Sequence, residues 1–213
     1  MSKSEMIKKF GSVEEIEKEL VIKKNNVSEV QNYIIKECTD PKEAFACSKK
    51  YLSSQSYGGV LESFYKRFFN LSKILKTQDG DLYASKIGNL EAKASIEFPS
   101  KKDITYCMMQ LRPAHNVDYY LGVFYSYSES KITYTLIPSG EMKKIIFKYC
   151  KSYSHGTKNG KGIVTEEIIN NNNEAEFQFT FSTTPSNKKN YKVWLDLKPF
   201  VYSEQELINK LKK

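Results

Sequence analysis

Histidine is scarce in this sequence and its cysteines are not paired, which excludes several kinds of site. Among 213 residues there are two histidines, His115 and His155. A nuclease or phosphohydrolase built on histidine ligands needs clusters of His and Asp, and two separated histidines do not supply them. None of the four cysteines forms a CxxC pair or stands at zinc-like spacing from a histidine. We therefore expect reduced thiols and no zinc site.

Long apolar runs and glycine-rich loops are also missing. No apolar stretch approaches the length of a membrane-spanning helix, and residues 1–10 lack the apolar centre of a signal peptide. A cytoplasmic protein with no membrane partner is therefore expected. Without a glycine-rich phosphate loop a nucleotide cofactor is not expected, and without a nucleophile elbow Ser-His-Asp catalysis has no support.

Positive charge is what the sequence has in excess. The formal net charge is +8 and the pI is about 9.1. Such a balance favours polyanionic partners, because Lys and Arg displace counterions from phosphates, although many Lys-rich proteins bind no nucleic acid. Hydrophobic residues make up 40% of the chain, which is enough for a core. The length predicts a single domain over residues 1–213.

The first 56 residues contain the start signals of three helices. Ser12 with Glu15, and Ser28 with Gln31, have capping-box spacing ahead of apolar residues at helical intervals. Asp40 is a predicted N-cap followed by Pro41 in the first turn. We expect a helical extension over residues 1–56, ahead of a core over residues 57–213.

The core begins with a predicted helix and continues with strands. Gly58-Gly59 predicts an interruption, after which residues 60–69 have a broad apolar face that also carries Glu62. Residues 90–98 alternate strictly, which predicts a strand with Glu91 and Lys93 on one face. Further strands are predicted at residues 104–111, 119–127, 132–137 and 177–181, and helices at residues 141–149 and 204–211.

Glu91 and Lys93 form the most informative pattern. A carboxylate and an ammonium group two positions apart on a strand lie side by side, which suits phosphodiester hydrolysis. The carboxylate can hold Mg²⁺, and the lysine can orient or deprotonate water or neutralise developing charge. A second carboxylate is needed from another side, and Asp81 in the preceding turn can supply it, with Asp79 as the alternative. Glu62 and Gln110 are further candidates for the same site.

This arrangement resembles the PD-(D/E)xK nuclease superfamily, and more narrowly its Type II restriction endonucleases. The resemblance rests on Gly80-Asp81, on the segment Leu90-Glu91-Ala92-Lys93-Ala94-Ser95 and on the helix around Glu62. Gln110-Leu111-Arg112-Pro113, Asp118-Tyr119-Tyr120 and His155-Gly156-Thr157 add to it, so that it covers residues 57–157. It implies an α/β (α+β) fold with a central mixed β-sheet flanked by helices, Mg²⁺ dependence, double-stranded DNA as substrate, and a bacterial restriction-modification system.

The sequence departs from the family at one position, because Gly80 stands where many members have proline. Three other (D/E)xK matches begin at Glu129, Glu141 and Asp196. Glu129 falls in a predicted hairpin turn and Glu141 at a predicted helix start, where carboxylates have ordinary structural reasons to occur. Asp196 has no carboxylate a short distance upstream. Only Glu91 combines a strand position with an upstream turn aspartate and an upstream helix glutamate.

Base recognition requires donors at groove edges, and two polar segments are predicted to be DNA-binding loops. The first is residues 152–161 and the second residues 186–192, where the candidates are His155, Thr157, Lys158, Asn159, Lys161, Lys188, Lys189 and Asn190. A homodimer is expected, because cutting both strands of a palindrome is simplest with two-fold symmetry. The alternatives are a related nuclease acting in DNA repair or on RNA, and a non-catalytic basic DNA-binding protein.

Overall fold

The protein divides into two compact units, which are described separately. The structure is a computed structural model that describes residues 27–53, 56–98, 103–155 and 158–212, with only the backbone of residues 155 and 158–161. The units are Met1–Asn70 and Leu71–Lys213. The helix after Gly58-Gly59 thus belongs to the first unit, whereas we expected the boundary after residue 56. The predicted capping box at Ser12 lies outside the described residues.

The described part of the first unit consists of helices. They are α1 (Val27–Asn32, continued by a π-helical turn over Tyr33–Glu37), α2 (Pro41–Tyr51) and α3 (Tyr57–Phe68). The predicted cap of α2 is confirmed, because the Asp40 side chain accepts the amide of Lys42 at 2.8 Å. The prediction of Ser28 as a cap is wrong, since α1 already includes Val27. Gly58-Gly59 does not interrupt the helix either: both glycines are exposed in the first turn of α3, where backbone N–H groups need no helical partner.

The second unit contains all the strands of the described chain. They are β1 (Ser72–Lys73), β2 (Leu82–Ala84), β3 (Gly88–Ile96), β4 (Thr105–Leu111), β5 (Tyr119–Ser126), β6 (Lys131–Pro138), β7 (Ser152–His155), β8 (Lys158–Ile163), β9 (Phe177–Ser182) and β10 (Val201–Tyr202). The helices of this unit are α4 (Ser139–Tyr149), α5 (Glu166–Asn171), α6 (Lys188–Leu197) and α7 (Glu204–Leu211).

The main sheet has six strands in the order β1-β2-β3-β5-β6-β10. Strands β3 and β5 are parallel and the other neighbours are antiparallel, so the sheet is mixed, as expected. On one face Tyr120 and Ile137 pack with Met142 and Ile146 of α4. On the other face the Tyr134 hydroxyl donates to Glu204 at the start of α7. A central mixed sheet flanked by helices is therefore the architecture of this unit.

A two-stranded ribbon, β4 with β9, covers part of the α4 face of this sheet. The Cys107 amide of β4 donates to the Ser95 hydroxyl of β3 at 3.3 Å, which brings the two layers together. Aromatic rings fill the space between them, with the Phe124 and Phe181 centroids 4.8 Å apart in an edge-to-face contact. Glu91 and Lys93 share a face with Ser95, so they lie on this side of the sheet.

Both segments predicted as DNA-binding loops are regular secondary structure. Residues 152–161 belong largely to the β7–β8 hairpin, in which Ser152 pairs with Ile163. The second segment runs into α6, which begins at Lys188 because the Asn187 side chain accepts the amide of Asn190 and caps it. In the described ranges, no helix is long and apolar enough to cross a membrane.

Candidate active site

Asp81 is held against β3 by two hydrogen bonds. Its amide donates to the Leu90 carbonyl at 2.8 Å, and its Oδ2 accepts the amide of Ala92 at 2.9 Å. Ala92 is the residue between Glu91 and Lys93. The turn before β2 therefore brings the Asp81 carboxylate to the strand position where the other two side chains begin.

Glu91 and Lys93 form an ion pair on β3, with Glu91 Oε1 and Lys93 Nζ 2.6 Å apart. The Glu91 side chain is 7% exposed and that of Lys93 is 18% exposed. A carboxylate this deep in the protein is costly unless its charge is neutralised. The lysine ammonium supplies that neutralisation, so each charge depends on the other.

Asp79, the alternative to Asp81, is engaged elsewhere. Its Oδ1 accepts the Asn116 side-chain amide at 3.1 Å, and the Asn116 backbone amide donates to Gln78 at 2.8 Å. These bonds fasten the turn over Thr77–Asp79 to the segment that leads into β5. The geometry thus brings Asp81, and not Asp79, to Glu91 and Lys93.

Gly80 has a backbone conformation that proline cannot adopt. Its φ is +93°, whereas proline is confined to about −65°. A Cβ atom on Gly80 would also lie 2.7 Å from the Leu90 carbonyl oxygen, the acceptor of the Asp81 amide. The chain reaches Asp81 through a left-handed conformation that glycine adopts readily.

Tyr120 is a site neighbour that the sequence reasoning did not single out. It is opposite Glu91 in the register of the parallel strands β3 and β5, so both side chains project from the same face. Burial raises the pKa of Tyr120 above its usual range, and the nearby carboxylates of Glu91 and Asp81 raise this pKa further. Its hydroxyl donates to the Arg112 carbonyl at 3.2 Å. Neutral Tyr120 therefore lies beside the two carboxylates.

Gln110 and Glu62 lie on other elements of the structure. Gln110 is exposed at an irregularity of β4, with φ of +53°, on the ribbon and not on the main sheet. Its neighbour Met109 is exposed as well. Glu62 lies on α3 of the first unit. Their participation in the site remains a prediction.

The predicted DNA-binding residues fall into two groups. Lys188, Lys189 and Asn190 form the first turn of α6, where both lysines are exposed. His155, Lys158, Asn159 and Lys161 lie in the strands of the β7–β8 hairpin, and only their backbone is described. Thr157 lies outside the described residues.

Of the three rival (D/E)xK matches, Glu129 and Glu141 occupy the positions expected for them, and Asp196 has a structural role. Glu129 is exposed in the turn between β5 and β6, and Glu141 lies in the first turn of α4. Asp196 lies on α6, where its Oδ2 accepts the Lys148 ammonium at 2.6 Å and the Tyr149 hydroxyl at 2.8 Å. These hydrogen bonds lower the pKa of Asp196 despite partial burial. Asp196 thus acts in a helix–helix contact.

The donor set around Asp81 and Glu91 fits Mg²⁺ better than a transition metal. No group of three or more His, Cys, Asp and Glu suited to a metal occurs in the portion of the chain with described coordinates. Mg²⁺ usually takes one or two carboxylates and completes its octahedron with water and phosphate oxygens. Two carboxylates next to a lysine meet that requirement.

Comparison with known proteins gives no assignment. No protein-family model matches the chain, and no curated protein matches it.

Proposed function

We propose that the protein is a Mg²⁺-dependent endonuclease that cuts double-stranded DNA at a specific sequence, as Type II restriction enzymes do. One observation carries the proposal: the Asp81 carboxylate accepts the amide of Ala92, and Lys93 pairs with Glu91 at 2.6 Å on the same strand. The turn before β2 and the strand β3 thus bring two carboxylates and a lysine together, a combination that suits phosphodiester hydrolysis. The net charge of +8 suits a polyanionic substrate.

Each residue has a distinct task in this proposal. Asp81 and Glu91 would hold the cation. A bound Mg²⁺ would polarise the phosphate and make water more acidic. Lys93 orients the attacking water and neutralises the negative charge that develops at the phosphate. For this, its ammonium must weaken its contact with Glu91. Tyr120, neutral and buried, excludes water from the inner side of the carboxylates.

The restriction-endonuclease-like form of the fold and the homodimer belong to the same proposal. Two features of the sheet support the fold assignment. The antiparallel pair β2–β3 brings the acidic turn next to the ExK strand, and that strand, β3, pairs in parallel with β5. A two-fold dimer would present two such sites to the two strands of a palindrome. Sedimentation equilibrium tests the dimer independently of cleavage.

The test is cleavage of long, mixed-sequence DNA by purified protein with Mg²⁺ or with EDTA. Discrete fragments that require Mg²⁺ are expected. Retardation of intact DNA on a gel, unaffected by Mg²⁺, would favour a non-catalytic DNA-binding protein instead. Cleavage confined to DNA ends, flaps or RNA would favour a repair or RNA nuclease with the same site.

A further inference from the structure

Arg112 is tied to the candidate active site through its backbone. Its carbonyl oxygen accepts the Tyr120 hydroxyl at 3.2 Å, and Tyr120 is opposite Glu91 across the parallel strands. Arg112 directly follows β4, the strand that crosses the face of the sheet carrying Glu91 and Lys93. The Tyr120 side chain therefore links the Arg112 backbone to the strand position next to Glu91.

The guanidinium of Arg112 is fixed by a buried carboxylate. Glu176 Oε1 accepts Arg112 Nε at 3.1 Å and also accepts Nη2. The Glu176 side chain is 6% exposed, and its backbone is held by two hydrogen bonds to Ser154. The carboxylate that holds Arg112 is therefore buried, and its backbone is fixed by pairing with Ser154.

This pair leaves part of the guanidinium available to a ligand. The Arg112 side chain is 38% exposed, in contrast to its partner. Within the described residues its hydrogen bonds use Nε and Nη2, so both Nη1 N–H groups remain for another acceptor. A planar fork of donors matches phosphate oxygens, and fixing it in advance reduces the entropy lost on binding.

Replacing a buried ion pair by well-packed apolar side chains is often neutral or stabilising, so stability alone is a weak reason for burying Glu176 beside an arginine. We infer that Arg112 binds a phosphate of the DNA backbone beside the cleavage site, and that Glu176 is a positioning residue for its guanidinium. The inference rests on the proposed nuclease function and adds a substrate-binding residue to it.

Salt dependence of DNA binding provides the test, because it counts the phosphates that the protein neutralises. The probe is a fluorescently labelled mixed-sequence duplex in EDTA, titrated by anisotropy at several KCl concentrations. The double variant R112Q/E176Q loses one positive and one negative charge, so its net charge equals that of the wild type and no buried carboxylate is left unpaired. The slope of log K against log salt is expected to be shallower by about 0.9.

Two further variants make the test decisive. Lys131→Gln removes an exposed positive charge where β6 begins, opposite Ser126 at the far end of β5 from Tyr120, and should leave the slope unchanged. Arg112→Lys keeps an ammonium that can pair with Glu176 but lacks the planar fork of donors that reaches a second acceptor, so its slope should become shallower as in the double variant. Circular dichroism and melting curves establish which variants are folded.

A wild-type slope in the folded Arg112 variants would overturn the inference, and so would the absence of measurable wild-type binding at low salt. Failure of the wild type to cut DNA with Mg²⁺ would instead contradict the proposed nuclease function. The two failures are distinguishable, because binding is measured in EDTA and cleavage in Mg²⁺.

Discussion

Removing the ammonium of Lys93 is expected to leave the buried charge of Glu91 without a partner. The substitution Lys93→Met keeps most of the aliphatic side chain and deletes the group that lies 2.6 Å from Glu91 Oε1. Breaking a fully buried ion pair costs about 3–5 kcal/mol. Because the Lys93 side chain is 18% exposed, we take the lower end, about 3 kcal/mol. For a chain of this length the Tm should fall by roughly 6–12 °C.

Mg²⁺ should reverse this loss if Asp81 and Glu91 hold it. A ligand at about a hundred times its dissociation constant stabilises the folded state by about 2.7 kcal/mol. The Tm of Lys93→Met in EDTA should therefore be low and should return close to the wild-type value with Mg²⁺. The matched control is the double variant E91Q/K93M, which removes both charges and should show no Mg²⁺ effect.

Differential scanning calorimetry in EDTA and in Mg²⁺ measures all three proteins without any DNA. The reasoning would be refuted by an unchanged Tm of Lys93→Met in EDTA, since Glu91 would then not depend on the lysine. It would also be refuted by equal Mg²⁺ stabilisation of the double variant, since the cation would then bind somewhere else.

Three other predictions concern the surroundings of the site. Asp81→Asn should lower the cleavage rate by about a hundredfold or more while Asp79→Asn leaves it near the wild-type rate, and the reverse order would assign the metal to Asp79. Gly80→Ala should destabilise the protein by about 1–3 kcal/mol, because φ is +93° and the new Cβ meets the Leu90 carbonyl; an unchanged urea midpoint would contradict this. The folded-state pKa of Tyr120 is raised above its ordinary value of 10.0, so stability present below pH 10 should be lost as the pH rises above it. Each pH unit then costs up to about 1.4 kcal/mol. Tyr120→Phe should lose less stability between pH 9 and pH 11 in urea titrations, and identical pH dependence in both proteins would show that Tyr120 is not the cause.

The strand that carries the site could be predicted from sequence because its signal is local. A two-residue alternation from Leu90 onwards fixes which side chains share a face, and the structure has β3 over Gly88–Ile96. The hairpin β5–β6 and the helices α4 and α7 were predicted for the same reason, since each has its own periodicity or turn. The mixed sheet followed from the family resemblance and not from any local pattern.

The features that could not be predicted from the sequence depend on contacts between residues distant along the chain or on the geometry of helix caps. The hydrogen bond between Arg112 and Glu176 joins residues 64 positions apart, and no local sequence pattern around either residue indicates it. The start of the helix Lys188–Leu197 was predicted as a polar loop because it is rich in lysine and asparagine. Its helix-start signal is the Asn187 cap. The β7–β8 hairpin was missed because its glycines and lysines lack β-branched alternation.

The central claim is that Asp81, Glu91 and Lys93 cut DNA with Mg²⁺, and one measurement tests it most directly. Purified wild-type protein and Lys93→Ala are incubated with phage DNA in Mg²⁺ and in EDTA. Discrete fragments produced only by the wild type and only with Mg²⁺ are expected, and their ends would give the recognition site. Intact DNA under all conditions, or fragments that persist with Lys93→Ala, would contradict the claim.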